Sequence, residues 1–474
     1  MTVASAQEGF SPIVIICIAG GLFLTALGEL AAIRFGSAPL ALLIVLWCGA
    51  AFCWLAWYRL SLAIVALVVA LPLITVEIGL DDVAKTLSTD KSSLAAVVGV
   101  GLLLRLPAVW SRLIVVRSVR WWIVFLGATA VSSLRNGLTV DQVWGFLEQG
   151  VYAGVFLATL AGLEREPIVR RRLLAAAGLA GGAVGGLTLI EWVLWSSGNR
   201  VPLYYKHGTV MDAVVAGSTI AHVNHLGGYL ILVIPILVAM WSTADRSLRP
   251  LIVMSILLAG GALLYAKSIG AWMGLALAGV LAVSFTVRAS WPRAIRVALG
   301  VVCVGIILIG TGVTFVKLTQ DTTSVYLRLA AYRVGWAAIT ERPLLGFGRD
   351  GYQREHVRLE RIIFGHELSR FREIGSRLSA HSSFLDVAVE RGLVGLTAFI
   401  GLLAAVLMTG IRGYICATDV PTQRILLGLL TGLVAFIVQA FSENLFSYSK
   451  VAAIFWIMAA TTVRMAEARP SQPS

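Results

Sequence analysis

The chain has 474 residues, of which 58% are hydrophobic and only 13% charged, and its mean hydropathy is +0.87. Soluble domains run near 45–50% apolar and about 25% charged, so this composition excludes a soluble enzyme, a disordered chain and a secreted disulfide scaffold, and its long unbroken apolar runs exclude an outer-membrane barrel, whose strands alternate over about ten residues. The excess of 38 Lys and Arg over 25 Asp and Glu is of the topological kind, with cations collected in cytoplasmic loops, and no nucleic-acid partner is expected.

Apolar stretches follow one another along the chain at Pro12–Ile33, Ala38–Trp57, Ser61–Leu80, Leu94–Trp110, Trp121–Leu134, Val143–Leu163 and Leu173–Trp195. They continue at Leu226–Trp241, Leu251–Ala266, Gly270–Val287, Val297–Val316, Leu393–Ile411, Ile425–Phe446 and Val451–Val463. The first is too long for the core of a cleaved signal and reads as a retained span. The fourth carries Arg105 and Pro107 and the fifth is short, so the count is 12–14 transmembrane helices. The fold class is all-α, a polytopic helical membrane protein. Three regions result: transmembrane helices with short loops over 1–316, a large helical loop over 317–391, and further transmembrane helices with a short tail over 392–474.

Basic residues orient these spans. With the N-terminus in the cytoplasm, the inner short loops hold 18 cations and the outer ones 8, the asymmetry expected of a multi-pass helical membrane protein. Both termini are then cytoplasmic. The three longest hydrophilic segments, Asp81–Ser93, Ser196–Asn224 and Lys317–Arg391, face outward, away from the cytoplasm, together with all six histidines. Chemistry on that side lacks ATP and sugar nucleotides, so a lipid-linked donor is the expected energy source. No Walker motif is present.

The long outer loop has structure of its own. Val325, Leu329, Tyr332, Trp336 and Ile339 recur at helical spacing and predict an amphipathic helix that ends before Pro343. Arg328 and Arg333 flank its apolar stripe. A turn follows over Leu344–Gly348. A second helix is predicted from near Ser379 to Gly392, with His381 in its first turn. Asp81-Asp82 reads as a solvated span end. His222 and His225, at i and i+3, have no third metal ligand next to them in sequence. Glu443, Glu29 and Glu191 lie in apolar sequence, where an ionisable group usually faces a cavity or a partner.

Four segments carry a family resemblance. Arg328-Leu-Ala-Ala-Tyr332 followed by Glu341-Arg-Pro-Leu-Leu-Gly-Phe-Gly348, and His381-Ser-Ser-Phe-Leu385 followed by Glu390-Arg-Gly-Leu-Val-Gly395, resemble two signatures of the bacterial O-antigen ligase and polymerase superfamily. His222-Val-Asn-His-Leu-Gly-Gly-Tyr-Leu230 and Ser442-Glu-Asn-Leu-Phe446 are similar to two more. The resemblance covers about Ala221 to Phe446 and is closest to the ligases. Two positions depart from it: Ile269 stands where an Arg is usual, leaving Lys267 to supply a cation there, and Tyr332 stands where Trp is usual.

The resemblance implies a GT-C-like, metal-independent, inverting membrane glycosyltransferase with no cofactor. Its donor would be a glycan on undecaprenyl diphosphate, its acceptor a lipid A–core oligosaccharide, and its setting the lipid of the inner membrane's periplasmic face. The alternatives are a polymerase joining carrier-linked O-antigen or exopolysaccharide repeats, and a polysaccharide or lipid transporter. An acceptor hydroxyl needs a base, and His381 is the candidate. A leaving diphosphate suits a bidentate guanidinium, and Arg328 is the candidate. Arg333, Lys267, Asn224, His225 and Glu443 are candidates for substrate binding, and no metal site is expected.

Overall fold

The structure is a computed structural model that describes residues 38–73, 77–79, 86–164, 167–197, 218–220, 222–286, 322–364 and 380–467. The predicted spans Pro12–Ile33 and Val297–Val316 lie outside the described residues, as do Asp81 and Asp82. The first six helices are α1 (Ala38–Tyr58), α2 (Leu60–Leu73), α3 (Thr89–Leu113), α4 (Arg117–Arg135), α5 (Val140–Gly162) and α6 (Pro167–Ser196). Then come α7 (Val223–Thr243), α8 (Arg249–Ala266), α9 (Ile269–Thr286), α10 (Thr322–Glu341), α11 (Gly351–Phe364), α12 (Ser383–Cys416), α13 (Val420–Gln439) and α14 (Ser449–Glu467). A small antiparallel hairpin, β1 (Glu77–Gly79) with β2 (Thr86–Ser88), precedes α3.

The chain is a polytopic helical membrane protein. Seven of these helices are long and apolar enough to cross a bilayer: α5 to α9, α12 and α13. Large apolar side chains such as Trp54 and Trp57 on α1, Met254, Leu257 and Leu264 on α8, and Met273 and Leu277 on α9 point outward. In water such a surface would drive association; against acyl chains it is the natural exterior. The interior gathers around α14, where every residue from Lys450 to Val463 is buried. Trp456 sits there with its ring centroid 4.5 Å from that of Trp122, and Phe436, Phe446 and Phe455 complete the aromatic centre.

Loops from different parts of the chain meet at two ends of the bundle. At one end, Ser132 Oγ donates to the carbonyls of Leu345 (2.7 Å) and Glu390 (2.9 Å), and Lys450 Nζ donates to Thr219 O (3.2 Å). At the other, Arg112 pairs with Glu164 at 3.2 Å, Arg464 reaches the same carboxylate at 3.7 Å, and Arg424 donates to Ser242 O. The segments placed outside by the charge bias are those that meet at the first end.

The two helices predicted within the long loop are present, with corrected ends. α10 covers the apolar stripe and stops at Glu341, before Pro343. The second helix starts at Ser383, with Ser382 as its N-cap accepting from Leu385 N, and runs on through Gly392 into the following span. At about 1.5 Å per residue its 34 residues reach about 51 Å, far beyond a hydrocarbon core of about 30 Å. Gly392, at φ 65° and ψ −172°, divides the projecting first turns from the span. That conformation is essentially restricted to glycine. A Cβ there would also strike the Leu344 carbonyl, and one on Gly346 would strike the Val389 carbonyl. The Arg342–Gly348 and Glu390–Gly395 segments are therefore pressed together backbone to backbone, with Phe347 N donating to Val389 O (2.9 Å), Gly348 N to Glu390 O (2.8 Å) and Leu393 N to Pro343 O (2.7 Å).

Candidate active site

The expectation that Ile425–Phe446 forms one span fails at its end. α13 stops at Gln439, and Ala440–Tyr448 makes a turn. The polar run Ser442-Glu443-Asn444 explains the break, because Ser442 Oγ bonds back to Gln439 O instead of extending the helix. This turn is stitched to the start of α12. Ser383 N donates to Ala440 O (2.9 Å), Ser383 Oγ donates to Glu443 O (3.1 Å), and Phe446 N donates to Ser383 Oγ (3.3 Å).

His381 lies just outside α12, not in its first turn as expected. It has a left-handed φ of 45°, an arrangement that costs a non-glycine residue about 1–3 kcal/mol. The stitched turn holds it there and sets its Nδ1 3.9 Å from Glu443 Oε1. The other Glu443 oxygen accepts from Asn224 Nδ2 at 2.6 Å, and Asn224's own carbonyl accepts from Gln439 Nε2 at 2.8 Å. His222 caps α7, its Nδ1 accepting from Asn224 N. His225 stacks on Tyr448 with ring centroids 4.5 Å apart. Tyr332 reaches over from α10 and donates to Phe441 O (3.4 Å).

Electrostatics tie Arg328 to the same place. Its guanidinium is half-buried on α10, and its field acts on His222, His381, Tyr332 and Glu443. Burial first, then Arg328 and His222, push the His381 imidazole down to about 4, so the ring is neutral at physiological pH. The same causes in the same order, burial and then Arg328, lower His222. Burial pushes the Glu443 carboxyl up, against Arg328 and the hydrogen bonds from the Asn224 side chain and the Asn444 backbone. A neutral imidazole beside a carboxylate can take a proton, and the carboxylate then stabilises the imidazolium formed.

The structure thus brings together Arg328, His381, Asn224, His225 and Glu443. Arg333 is exposed on α10, and Lys267 is exposed at the left-handed end of α8 (φ 47°). Arg370, Arg372 and Arg377, which precede His381 in sequence, lie outside the described residues. Sequence reasoning missed Gln439, Tyr448 and Ser383. Gln439 alone had a visible signal, a polar side chain at the end of an apolar run. The third metal ligand that the sequence lacked is also supplied: ligand atoms of His222, His225 and Glu443 lie within 4.8 Å of one another, a set able to hold a transition metal.

Residues 254–400 match the family model described as O-antigen ligase. Over this segment the chain is similar to the O-antigen ligase family. The match supports a membrane glycosyltransferase of ligase or polymerase type. No curated protein matches the chain. The matched segment contains Arg328 and His381 and ends before Glu443; His222, Asn224 and His225 precede it.

Proposed function

We propose that this protein is an inverting glycosyltransferase that moves an O-antigen glycan from undecaprenyl diphosphate to lipid A–core oligosaccharide on the periplasmic face of the inner membrane. The observation that carries this reading is a neutral His381 that lies 3.9 Å from the buried Glu443 carboxyl and within the field of the Arg328 guanidinium. The acceptor hydroxyl attacks the anomeric carbon from the face opposite the diphosphate. Its oxygen forms the new glycosidic bond while the bond to the diphosphate oxygen breaks. His381 accepts the hydroxyl proton, Glu443 steadies the resulting cation, and Arg328 holds the charge that grows on the leaving diphosphate. Asn224 keeps one Glu443 oxygen occupied and so directs the other toward His381. Arg333 and Lys267 are then peripheral cations, in reach of substrate phosphate only at the edge of the site.

The test is a His381→Ala strain whose protein inserts normally, examined by its lipopolysaccharide ladder. Loss of all O-antigen from lipid A–core supports the ligase. A single capped repeat identifies a polymerase of carrier-linked repeats. An unchanged ladder from a strain carrying only this variant removes His381 from the reaction.

A further inference from the structure

Behind the first turns of α12 lies a polar cavity of about 160 Å³, between α5, α11, α12 and the 444–447 turn. Five of the residues that line it each carry a buried polar atom with no hydrogen-bond partner among the described residues: Arg349 Nη1, Gln353 Oε1, Asp386 Oδ1, Arg391 Nε and Asn444 Oδ1. Asp386 and Arg391 are each only 7% exposed. The rest of this polar lining is well partnered. Ser447 Oγ donates to Asp386 Oδ2 (3.1 Å), Asp350 N donates to Glu390 Oε1 (2.8 Å), Arg391 Nη1 meets Glu390 Oε2 (2.9 Å), and Arg349 Nη2 meets Glu148 (3.0 Å). The protein therefore fixes these side chains from behind and leaves one atom of several unpaired in the same space.

An unpaired buried polar atom is costly, so five on the residues around one cavity call for a common partner. Their chemistry narrows what that partner is. Three are acceptors and two are guanidinium donors. A phosphate offers acceptors only and would face the Asp386 and Glu390 carboxylates. A metal cation would face Arg349 and Arg391. Hydroxyl groups both donate and accept, and a hydroxyl-rich ring also has apolar C–H faces for the Tyr152 and Trp456 side chains that line the cavity. The place is informative as well. Ser383, two residues after His381, and Asn444, next to Glu443, both line it.

We propose that this cavity is a subsite for one sugar ring of the glycan, set apart from the reacting atoms. The proposal rests on the glycosyltransferase reading above and adds to it where a second part of the substrate is gripped. Binding energy gathered away from the reacting centre then serves to position it. The donor glycan and the acceptor oligosaccharide share this chemistry, and kinetics separate them.

The experiment uses purified full-length protein in detergent. Saturation-transfer difference NMR is recorded with free glucose, N-acetylglucosamine and rhamnose, for wild type, Gln353→Leu and Asp386→Asn. Gln353→Leu keeps the side-chain size on a helix outside the bundle centre, which guards against a folding failure at Asp386. At least one sugar is expected to receive saturation from wild type and to lose most of it in both variants. In glycan transfer, the variants should raise KM for one glycan substrate about tenfold and keep kcat within about threefold. A rise for the carrier-linked substrate assigns the ring to the donor, and a rise for the other assigns it to the acceptor. Absence of saturation transfer from every sugar, or signals unchanged in the variants, overturns the proposal and leaves ordered water as the occupant. A fall in kcat with both KM values unchanged overturns it too, because a structural role would do that. Wild-type protein that binds a sugar yet transfers no glycan counts against the glycosyltransferase reading and not against the subsite.

Discussion

Replacing Glu443 by Gln tests the centre of the proposed mechanism, because it removes a charge and little else. Glutamine keeps the length of the side chain and an oxygen for Asn224 Nδ2, which now lies 2.6 Å from the carboxylate. What it loses is attraction for a protonated His381, whose Nδ1 is 3.9 Å away. For two unit charges at that distance the Coulomb energy is about 4 kcal/mol at an effective dielectric of about 20 and about 1 kcal/mol in bulk water. The His381 side chain is 33% exposed, so solvent screening pulls the value down, to about 1–3 kcal/mol. The charge pair exists only once His381 has taken the acceptor's proton. The energy therefore belongs to the transition state, and kcat should fall roughly 5- to 150-fold. KM should stay near its wild-type value, because neither substrate loses a ground-state contact. Purified wild type and variant are compared with carrier-linked glycan and acceptor, and folding is checked by thermal unfolding. A Glu443→Gln enzyme within twofold of wild-type kcat, or one that changes only KM, would refute the base–carboxylate arrangement.

Arg328→Lys should lose most activity although it keeps the charge, because a planar fork grips a diphosphate through two bonds and an ammonium does not; near-normal turnover in detergent would remove Arg328 from the leaving-group site. His381 is held at about 4, below the ordinary 6.5, so its base form persists as pH falls past 6.5 and is lost only as pH approaches about 4. Glu443, held above the usual carboxylate range, loses its charge on the same acid side, so the profile is read in Glu443→Gln, where an acid limb centred at or above 6.5 contradicts the assignment of His381. The same shift makes the unfolded His381 the better proton acceptor, so its contribution to stability is present above pH 6.5 and is lost between 6.5 and about 4. Gly392→Ala should cost at least about 3 kcal/mol, from a positive φ and a Cβ driven into the Leu344 backbone; an unchanged melting temperature would show that the two motif segments part easily. Transfer by purified protein should survive excess EDTA, since side-chain cations neutralise the diphosphate; loss reversed by added metal would instead point to His222, His225 and Glu443 as its ligands.

Much of this protein is legible in one dimension. Long apolar runs must be helices in lipid, because every backbone group has to find its partner within the segment, and that fixed the class and most of the helices. Local spacing placed α10 before Pro343, and residue order pointed to Arg328, His381 and Glu443. The rest depended on contacts between segments far apart in sequence. The apolar pattern of Ile425–Phe446 reads straight through Gln439, and only the bonds from Ser383 to Ala440 and Glu443 reveal a turn there. That turn decides that His381 sits outside its helix with a carboxylate beside it. His222 and His225 show no third ligand in sequence, and folding supplies one from more than two hundred residues away. Asp386, Glu390 and Arg391 read as ordinary helix charges, although Asp386 and Glu390 stand at i and i+4 in an apolar stretch. They become a cavity lining only because α5 and α11 close over them. Sequence fixes what a short segment must do to satisfy its own backbone. Which side chains share a dielectric environment, and so which can act as base, cation or sugar-binding group, is set by how the segments pack.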